Sequence, residues 1–147
     1  MGRLVGIARR DKKRAPMQEL EVADISTDTG VALDSRGKPG KRQVTLLSAD
    51  VWATICSELK RDIPWTLRRS NLLVAGIELP RRAGDIIQIG EVQLQAMAEV
   101  DPCSRMDEQC IGLTDALQPD WRGGVGCKVL SGGTVHIGDR VSLRSAD

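Results

Sequence analysis

Val92-Gln-Leu-Gln-Ala-Met-Ala-Glu-Val100 is the longest alternating segment of the chain, and Asp101-Pro-Cys-Ser-Arg105 follows it directly. Apolar residues occupy every second position from Val92 to Val100, a pattern typical of a strand with one buried face. Pro102 ends this strand because proline has no N–H to continue a ladder of hydrogen bonds. The stretch therefore predicts a long strand that delivers Cys103 to the point where the sheet ends.

Short apolar runs bounded by turn residues predict further strands on both sides of this one. They lie at Arg3–Arg9, Met17–Ile25, Gln43–Leu47, Leu72–Ala75, Ile86–Ile89, Val125–Leu130, Thr134–Ile137 and Arg140–Leu143. Two segments, Ile87–Val92 and Val135–Val141, share an apolar pair broken by a glycine, which predicts a tight corner between successive strands. Many short strands in a small chain are most simply closed as a barrel, because closure removes exposed edges.

Helical spacing is strong in one segment, Ala49–Lys60, where Ser48 offers an N-cap and Pro64 follows. Leu113–Leu117 predicts a short helix stopped by Pro119. We therefore predict a mainly β fold, a closed or partly open barrel with one main helix and short helical turns. No linker or long repeat divides the chain, so residues 1–147 form one predicted domain.

Composition excludes several classes of function. The formal net charge is +1 and the basic residues form no single long tract, so we expect no nucleic-acid partner. Phe and Tyr are absent and Trp occurs three times, which argues against a stacking surface for single strands. No apolar run reaches the roughly 18 to 20 residues of a membrane span. Without a signal peptide at the start, we expect a cytoplasmic location and reduced thiols.

The cysteines and the single histidine limit the chemistry further. One histidine, His136, rules out sites that need several imidazoles, and its alternation with Val135 and Ile137 points it away from the core. The cysteine spacing matches neither a zinc knuckle nor a dithiol redox pair. Cys56 and Cys127 fall on predicted apolar faces, whereas Cys110 is left unassigned. Cys103 is the best chemical candidate, since Arg105 would favour its thiolate, the nucleophilic and metal-binding form.

Three groups of polar or glycine-rich residues are candidates for binding an anion. Arg122-Gly-Gly-Val-Gly-Cys127 contains Gly123 and Gly124, which fit either converging backbone N–H groups or tight barrel turns. Arg68-Arg-Ser-Asn71 suits a planar, anionic ligand such as a pterin with a phosphate, or else is a solvated face. Lys41 and Arg42, at the start of another strand, likewise either contact an anionic ligand or form a solvated face.

Taken in order, these motifs resemble the MOSC domain, named for the C-terminal domain of molybdenum cofactor sulfurase. The matching segments are Arg42–Leu47, Arg68–Ile77, Gly84-Asp85, Ile89–Val92, Asp101–Arg105, Arg122–Gly124 and Gly138-Asp139. The resemblance implies a barrel of the pyruvate-kinase type that binds the molybdenum cofactor (molybdopterin) or handles sulfur for it. It places Cys103 at the site, as nucleophile or metal ligand, with Arg69, Asn71 and Arg122 as cofactor contacts. We expect these four residues to surround one concave surface, with Arg42, Arg105, Gly123 and Gly124 as further contacts.

The chain departs from the family in two respects. Members that reduce N-hydroxylated compounds carry a second cysteine three residues after the first, where this chain has Met106. The pyridoxal phosphate desulfurase domain of the eukaryotic sulfurases is also missing, so we expect no pyridoxal phosphate on this chain.

Three functions remain open at this point. In the first, Cys103 carries a persulfide received from a separate cysteine desulfurase. In the second, Cys103 ligates molybdenum in an oxidoreductase that works with a redox partner. In the third, the domain binds the cofactor without turnover.

Overall fold

The computed structural model describes residues 2–12, 15–35, 37–100 and 110–145. Its strands are β1 (Gly2–Arg9), β2 (Gln18–Leu20), β3 (Val22–Ser26), β4 (Gly30–Val31), β5 (Val44–Ser48), β6 (Leu72–Ala75), β7 (Ile86–Ile89), β8 (Val92–Glu99), β9 (Val125–Ser131), β10 (Gly133–His136) and β11 (Arg140–Arg144). Its α-helices are α1 (Ala49–Leu59) and α2 (Leu113–Leu117), and two 3₁₀ helices span Trp65–Arg68 and Pro119–Trp121.

Seven strands close into a barrel in the order β1, β6, β5, β9, β8, β7 and β11, which returns to β1. All neighbours are antiparallel except β5 and β6, whose parallel pairing sets Leu46 opposite Leu72. The helix α1 lies between these two strands in sequence, as a parallel connection requires. The first residues of β1 pair with β11, and its last residues, Ile7–Arg9, pair with β2. A second, small sheet consists of β10, β3 and β4. The prediction of a mainly β barrel with one main helix is confirmed.

Alternation places one face of each barrel strand inside. Val92, Leu94 and Ala96 on β8 are fully buried, whereas the residues between them are half-buried. On β5 both faces are buried, because α1 and α2 cover the outside of the barrel there. Leu46 belongs to the cluster inside the barrel and Leu47 to the second cluster under the helices.

The predicted strands and helices are present within one residue of their predicted bounds, with one exception, whereas β4 and the two 3₁₀ helices were not predicted. The strand predicted at Met17–Ile25 is wrong as a single strand: β2 ends at Leu20, and β3 starts at Val22 in the other sheet. The helix α1 begins as predicted, with the Ser48 Oγ accepting a hydrogen bond from the Val51 N–H at 3.1 Å. It ends where Lys60 takes left-handed backbone angles, with φ of 55°.

The two predicted glycine corners are present, between β7 and β8 and between β10 and β11. Gly90 and Gly138 have φ of 55° and 96°, values that side chains with a Cβ rarely adopt. Among the described residues, no helix is long and apolar enough to cross a membrane.

Candidate functional site

The candidate site lies where β8 ends, beside the turn that precedes β9. The Val100 N–H donates to the Gly124 carbonyl at 3.0 Å. A Cβ on Gly123 would lie 2.3 Å from the Val100 carbonyl oxygen, and one on Gly124 would lie 2.3 Å from that of Leu46. Both glycines are therefore required by close backbone packing, the barrel-turn alternative left open by the sequence. Cys103 and Arg105 lie outside the described residues.

Arg68 links the end of β8 to the turn before β9 through buried hydrogen bonds. Its side chain is buried, with 8% of the residue exposed. The Arg68 Nη2 donates to the Val100 carbonyl at 2.9 Å and to the Gly123 carbonyl at 2.8 Å. The solvated-face alternative for the adjacent arginines is therefore wrong for Arg68. Sequence reasoning missed this role because the short 3₁₀ helix that turns Arg68 inward carries no readable periodicity.

Asn71 is a buried connector between three segments of backbone. Its Oδ1 accepts from the Thr45 N–H at 3.0 Å, and its Nδ2 donates to the Ala8 carbonyl at 3.2 Å. The amide thus joins β5 and β1 at the start of β6. Because both ends of the amide have protein partners, Asn71 shapes the site chiefly by holding these strands together.

Arg42 and Arg69 bring two guanidinium groups to neighbouring strand starts. Arg42 lies two residues before β5 and Arg69 three residues before β6, the two parallel strands that pair at Leu46 and Leu72. Arg42 is exposed and Arg69 is half-buried. Neither side chain forms a hydrogen bond or ion pair with any other described residue. Among the described residues, neither guanidinium has a partner that an anionic ligand would have to displace.

A cavity of about 270 Å³ lies between the start of α1, the loop at residues 76–81 and the turn at residues 120–124. Of the predicted contacts, Arg122 and Gly124 line it, whereas Arg42, Arg69, Asn71 and Gly123 are absent from its described lining. The structure therefore divides the predicted contacts between the cavity and the strand starts.

The charges of the cavity are largely paired already. Arg122 makes a two-pronged contact with Glu58 of α1, at 2.8 and 3.1 Å. This contact raises the pKa of Arg122 and lowers that of Glu58, mainly through the hydrogen bond. Arg81 bridges Glu78 and Asp120 at 3.0 and 3.6 Å. An anion entering the cavity would have to compete with these carboxylates.

The three described cysteines are packed into the protein. Cys127 is fully buried inside the barrel, and burial raises the pKa of its thiol strongly. Cys110 is 3% exposed in the cluster under the helices, and Cys56 packs half-buried against the same cluster. The predictions for Cys56 and Cys127 are confirmed. His136 is exposed, also as predicted.

No group of three or more His, Cys, Asp or Glu residues suited to a metal ion occurs within the described segments.

Solved structures with the same architecture come from several bacteria. The YUAD protein of Bacillus subtilis superposes with a TM-score of 0.84 at 19% identity, over 100% of this chain and 98% of that one. YiiM of Geobacillus stearothermophilus gives a TM-score of 0.78 at 15% identity, over 99% of this chain and 76% of that one. YiiM of Escherichia coli gives 0.70 at 16% identity, over 97% and 70%. These likenesses concern the fold.

Sequence comparison supplies the family. No protein of curated function matches significantly. The family model of the MOSC domain matches residues 26–142, which include β4 to β10 and the segment with Cys103. The ordered motifs and the closed barrel agree with this match, and the chain belongs to the MOSC domain family.

Proposed function

We propose that this chain is a sulfur carrier for molybdenum cofactor assembly and that Cys103 holds the sulfur as a persulfide. A separate cysteine desulfurase supplies the sulfur, and the molybdenum cofactor is the substrate that receives it. Family membership supports the link to this cofactor. The reduced thiols this requires support a cytoplasmic location for the reaction.

One observation carries the proposal: the other three cysteines are packed into the apolar clusters of the protein and serve a structural role. Cys110 and Cys127 are buried, and Cys56 is held against the second cluster with its Sγ 3.8 Å from the Ile63 carbonyl. Burial raises the pKa of the Cys127 thiol, which therefore forms little thiolate near neutral pH, and packing restricts access to the sulfurs of Cys56 and Cys110. Cys103 is the remaining thiol and follows the strand end that Arg68 fixes.

The loading step needs only a thiolate and a persulfide donor. The Cys103 thiolate attacks the outer sulfur of the donor persulfide, and a new S–S bond forms on Cys103. The S–S bond of the donor breaks, and its inner sulfur leaves as a thiolate. One S–S bond replaces another, so the step needs no external oxidant or reductant.

The strand starts suit the anionic character of the substrate. A pterin cofactor with a phosphate needs cationic donors, and guanidinium groups give the two-pronged contacts that phosphate favours. Arg42 and Arg69 are free of carboxylate partners within the described segments, whereas Arg122 is held by Glu58. We therefore assign Arg42 and Arg69 to substrate binding and Arg122 to the packing of α1.

The experiment measures sulfur loading by mass spectrometry. Glutathione persulfide is added to the wild type, to the Cys103→Ser variant and to a Cys56→Ser control. We expect one added sulfur on the wild type and on the control, and none on Cys103→Ser. Alkylation at neutral pH should also modify Cys103 well before Cys56, because a carrier thiol must form its thiolate readily.

Other outcomes would assign the domain differently. Tightly bound molybdenum in elemental analysis, lost in Cys103→Ser without any sulfur loading, would indicate the oxidoreductase. Equal alkylation of all cysteines, with the cofactor retained by Cys103→Ser, would indicate a binding module without turnover.

A further inference from the structure

Two short segments contain much of the positive charge of the chain. Residues 9–14 and 36–42 hold nine of the 21 basic residues and one carboxylate, Asp11. The other 134 residues hold twelve basic residues and nineteen carboxylates. The net charge of +1 therefore conceals a strong separation of charge along the sequence.

Hydrogen bonds join the start of the first segment to the residues just before the second. The Arg10 N–H donates to the Asp34 carboxylate at 3.1 Å, and the Ser35 N–H donates to the Arg10 carbonyl at 2.8 Å. The Arg9 guanidinium reaches the Ala32 carbonyl at 2.8 Å. The end of β1 and the loop before β5 thus form one surface, although they lie more than twenty residues apart in sequence.

A buried side chain holds this surface in shape. Gln43 is 2% exposed, and its Nε2 donates to the carbonyls of Thr27 and Gly37 at 2.8 and 3.2 Å. Its Oε1 accepts from the Val129 N–H of β9 at 2.9 Å. The loop that presents Lys38 and Lys41 is therefore anchored to the barrel at both ends, which lowers the entropy cost of binding there.

The surface combines exposed cations with one exposed apolar side chain. We call it the basic patch and define it by Lys12, Lys38 and Lys41, which are exposed, and by Leu33, which is 72% exposed. Leu33 has φ of 67°, a left-handed conformation uncommon for a leucine. An exposed apolar side chain on a surface that also carries exposed cations resembles the apolar centre and charged rim of a protein interface.

The basic patch adjoins the strand end described above. A Cβ on Gly126 would lie 2.7 Å from the Lys41 carbonyl and 3.0 Å from the Arg42 Cγ. Gly126 itself pairs with Ala98, two residues before Val100. A partner seated on the patch would therefore lie beside the start of the segment that contains Cys103.

We propose that the basic patch docks a partner protein whose acidic surface also offers an apolar contact for Leu33. In the proposed function, this partner is the sulfur donor. The identity of the donor rests on the proposed function, whereas the chemistry of the partner rests on the patch. Positive charge around the docking point attracts an acidic partner and speeds its association. The three tryptophans are packed into the two clusters and so give the patch no stacking surface for a nucleic acid.

The test uses two acidic peptides, one of Glu-Glu-Leu-Glu repeats and one with Ser in place of Leu. Binding to the full chain is followed by fluorescence anisotropy at low and at physiological salt. The double variant Lys38→Glu, Lys41→Glu should weaken both peptides by about tenfold or more, because like charges now face each other. The control Arg61→Glu, Arg140→Glu changes the net charge equally at exposed positions on other elements and should leave binding within about twofold.

Leu33→Ser should remove the advantage of the Leu peptide over the Ser peptide and leave the weaker binding of the Ser peptide unchanged. Equal losses in the patch and control variants would overturn the proposal, as would the absence of peptide binding. Tighter binding of a DNA duplex, or of phosphatidylserine vesicles, would assign the patch to those partners instead. Cys103→Ser should bind the peptides normally, so failure of sulfur loading and failure of docking are separate results.

Discussion

Arg68 and Arg69 are neighbours in sequence with opposite surroundings. Arg68 closes the 3₁₀ helix before β6 and is buried with two carbonyl partners. Arg69 takes left-handed backbone angles, with φ of 60°, and its half-buried side chain has no ion-pair partner among the described residues. One turn of backbone thus decides which arginine is committed to backbone carbonyls and which is the one proposed to contact a ligand.

We expect Arg68→Met to lower the free energy of unfolding by about 3 kcal/mol, because two buried carbonyls lose a charged donor. Urea unfolding followed by circular dichroism measures this loss. The matched control is Arg69→Met, which should change stability by no more than about 0.5 kcal/mol. Equal effects of the two substitutions would contradict the structural role given to Arg68.

Residue types alone indicated the strand ends but did not separate residues that hold the backbone from residues proposed to contact a ligand. Arg42, Arg69, Asn71 and Gly124 all lie near the ends of barrel strands, as the motifs predict. Asn71 and the glycines are used by the backbone, and this depends on distances between strands that are far apart in sequence. Sequence patterns contain no information on such distances.

The elements themselves were largely predictable, because alternation and helical spacing reflect burial directly. The exception, at Met17–Ile25, has a physical reason: both halves alternate, but they pair with different sheets around Glu21. Alternation indicates which face of a strand is buried and does not identify its partner strand. The 3₁₀ helices were missed because they are too short to show a period.

The ion pair between Arg122 and Glu58 ties the turn before β9 to α1, and this contact has a pH dependence. The hydrogen bond from Arg122 lowers the pKa of Glu58 below its ordinary value of about 4.5. The pair therefore stabilises the fold fully above pH 4.5, and its contribution is lost as the pH falls through the lowered pKa.

We expect the melting temperature of the wild type to exceed that of Glu58→Gln by a small, constant amount at neutral pH. The difference should shrink as the pH falls below about 4.5. Scanning calorimetry across this range measures it, with Glu78→Gln as a control at a more exposed ion pair. A difference that grows towards acid pH would have the wrong sign for a lowered pKa.

At the scale of the whole molecule, two apolar clusters share one strand. Adjacent residues of β5 point in opposite directions, so Leu46 belongs to the cluster inside the barrel and Leu47 to the cluster under α1 and α2. Loss of either cluster removes packing from one face of β5. Because β5 also pairs with β6 and β9, this coupling extends through the barrel wall.

We therefore expect the two clusters to unfold together, as small domains usually do. In a Trp121→Phe variant, Trp52 and Trp65 remain, and both pack against the helix-covered cluster. Trp65 also contacts β1 and β2, so the fluorescence reports chiefly this cluster and its junction with the barrel. Circular dichroism at the β-sheet wavelength reports the barrel, and the two denaturation curves should coincide.

Leu117→Ala creates a cavity in the helix-covered cluster, since Leu117 is fully buried there. If the clusters are coupled through β5, it should lower the free energy of unfolding by about 2 to 5 kcal/mol in both signals. A fluorescence change at lower denaturant than the circular dichroism change would mean that the helices detach first. The barrel alone would then hold Arg68, Asn71 and the end of β8 in place.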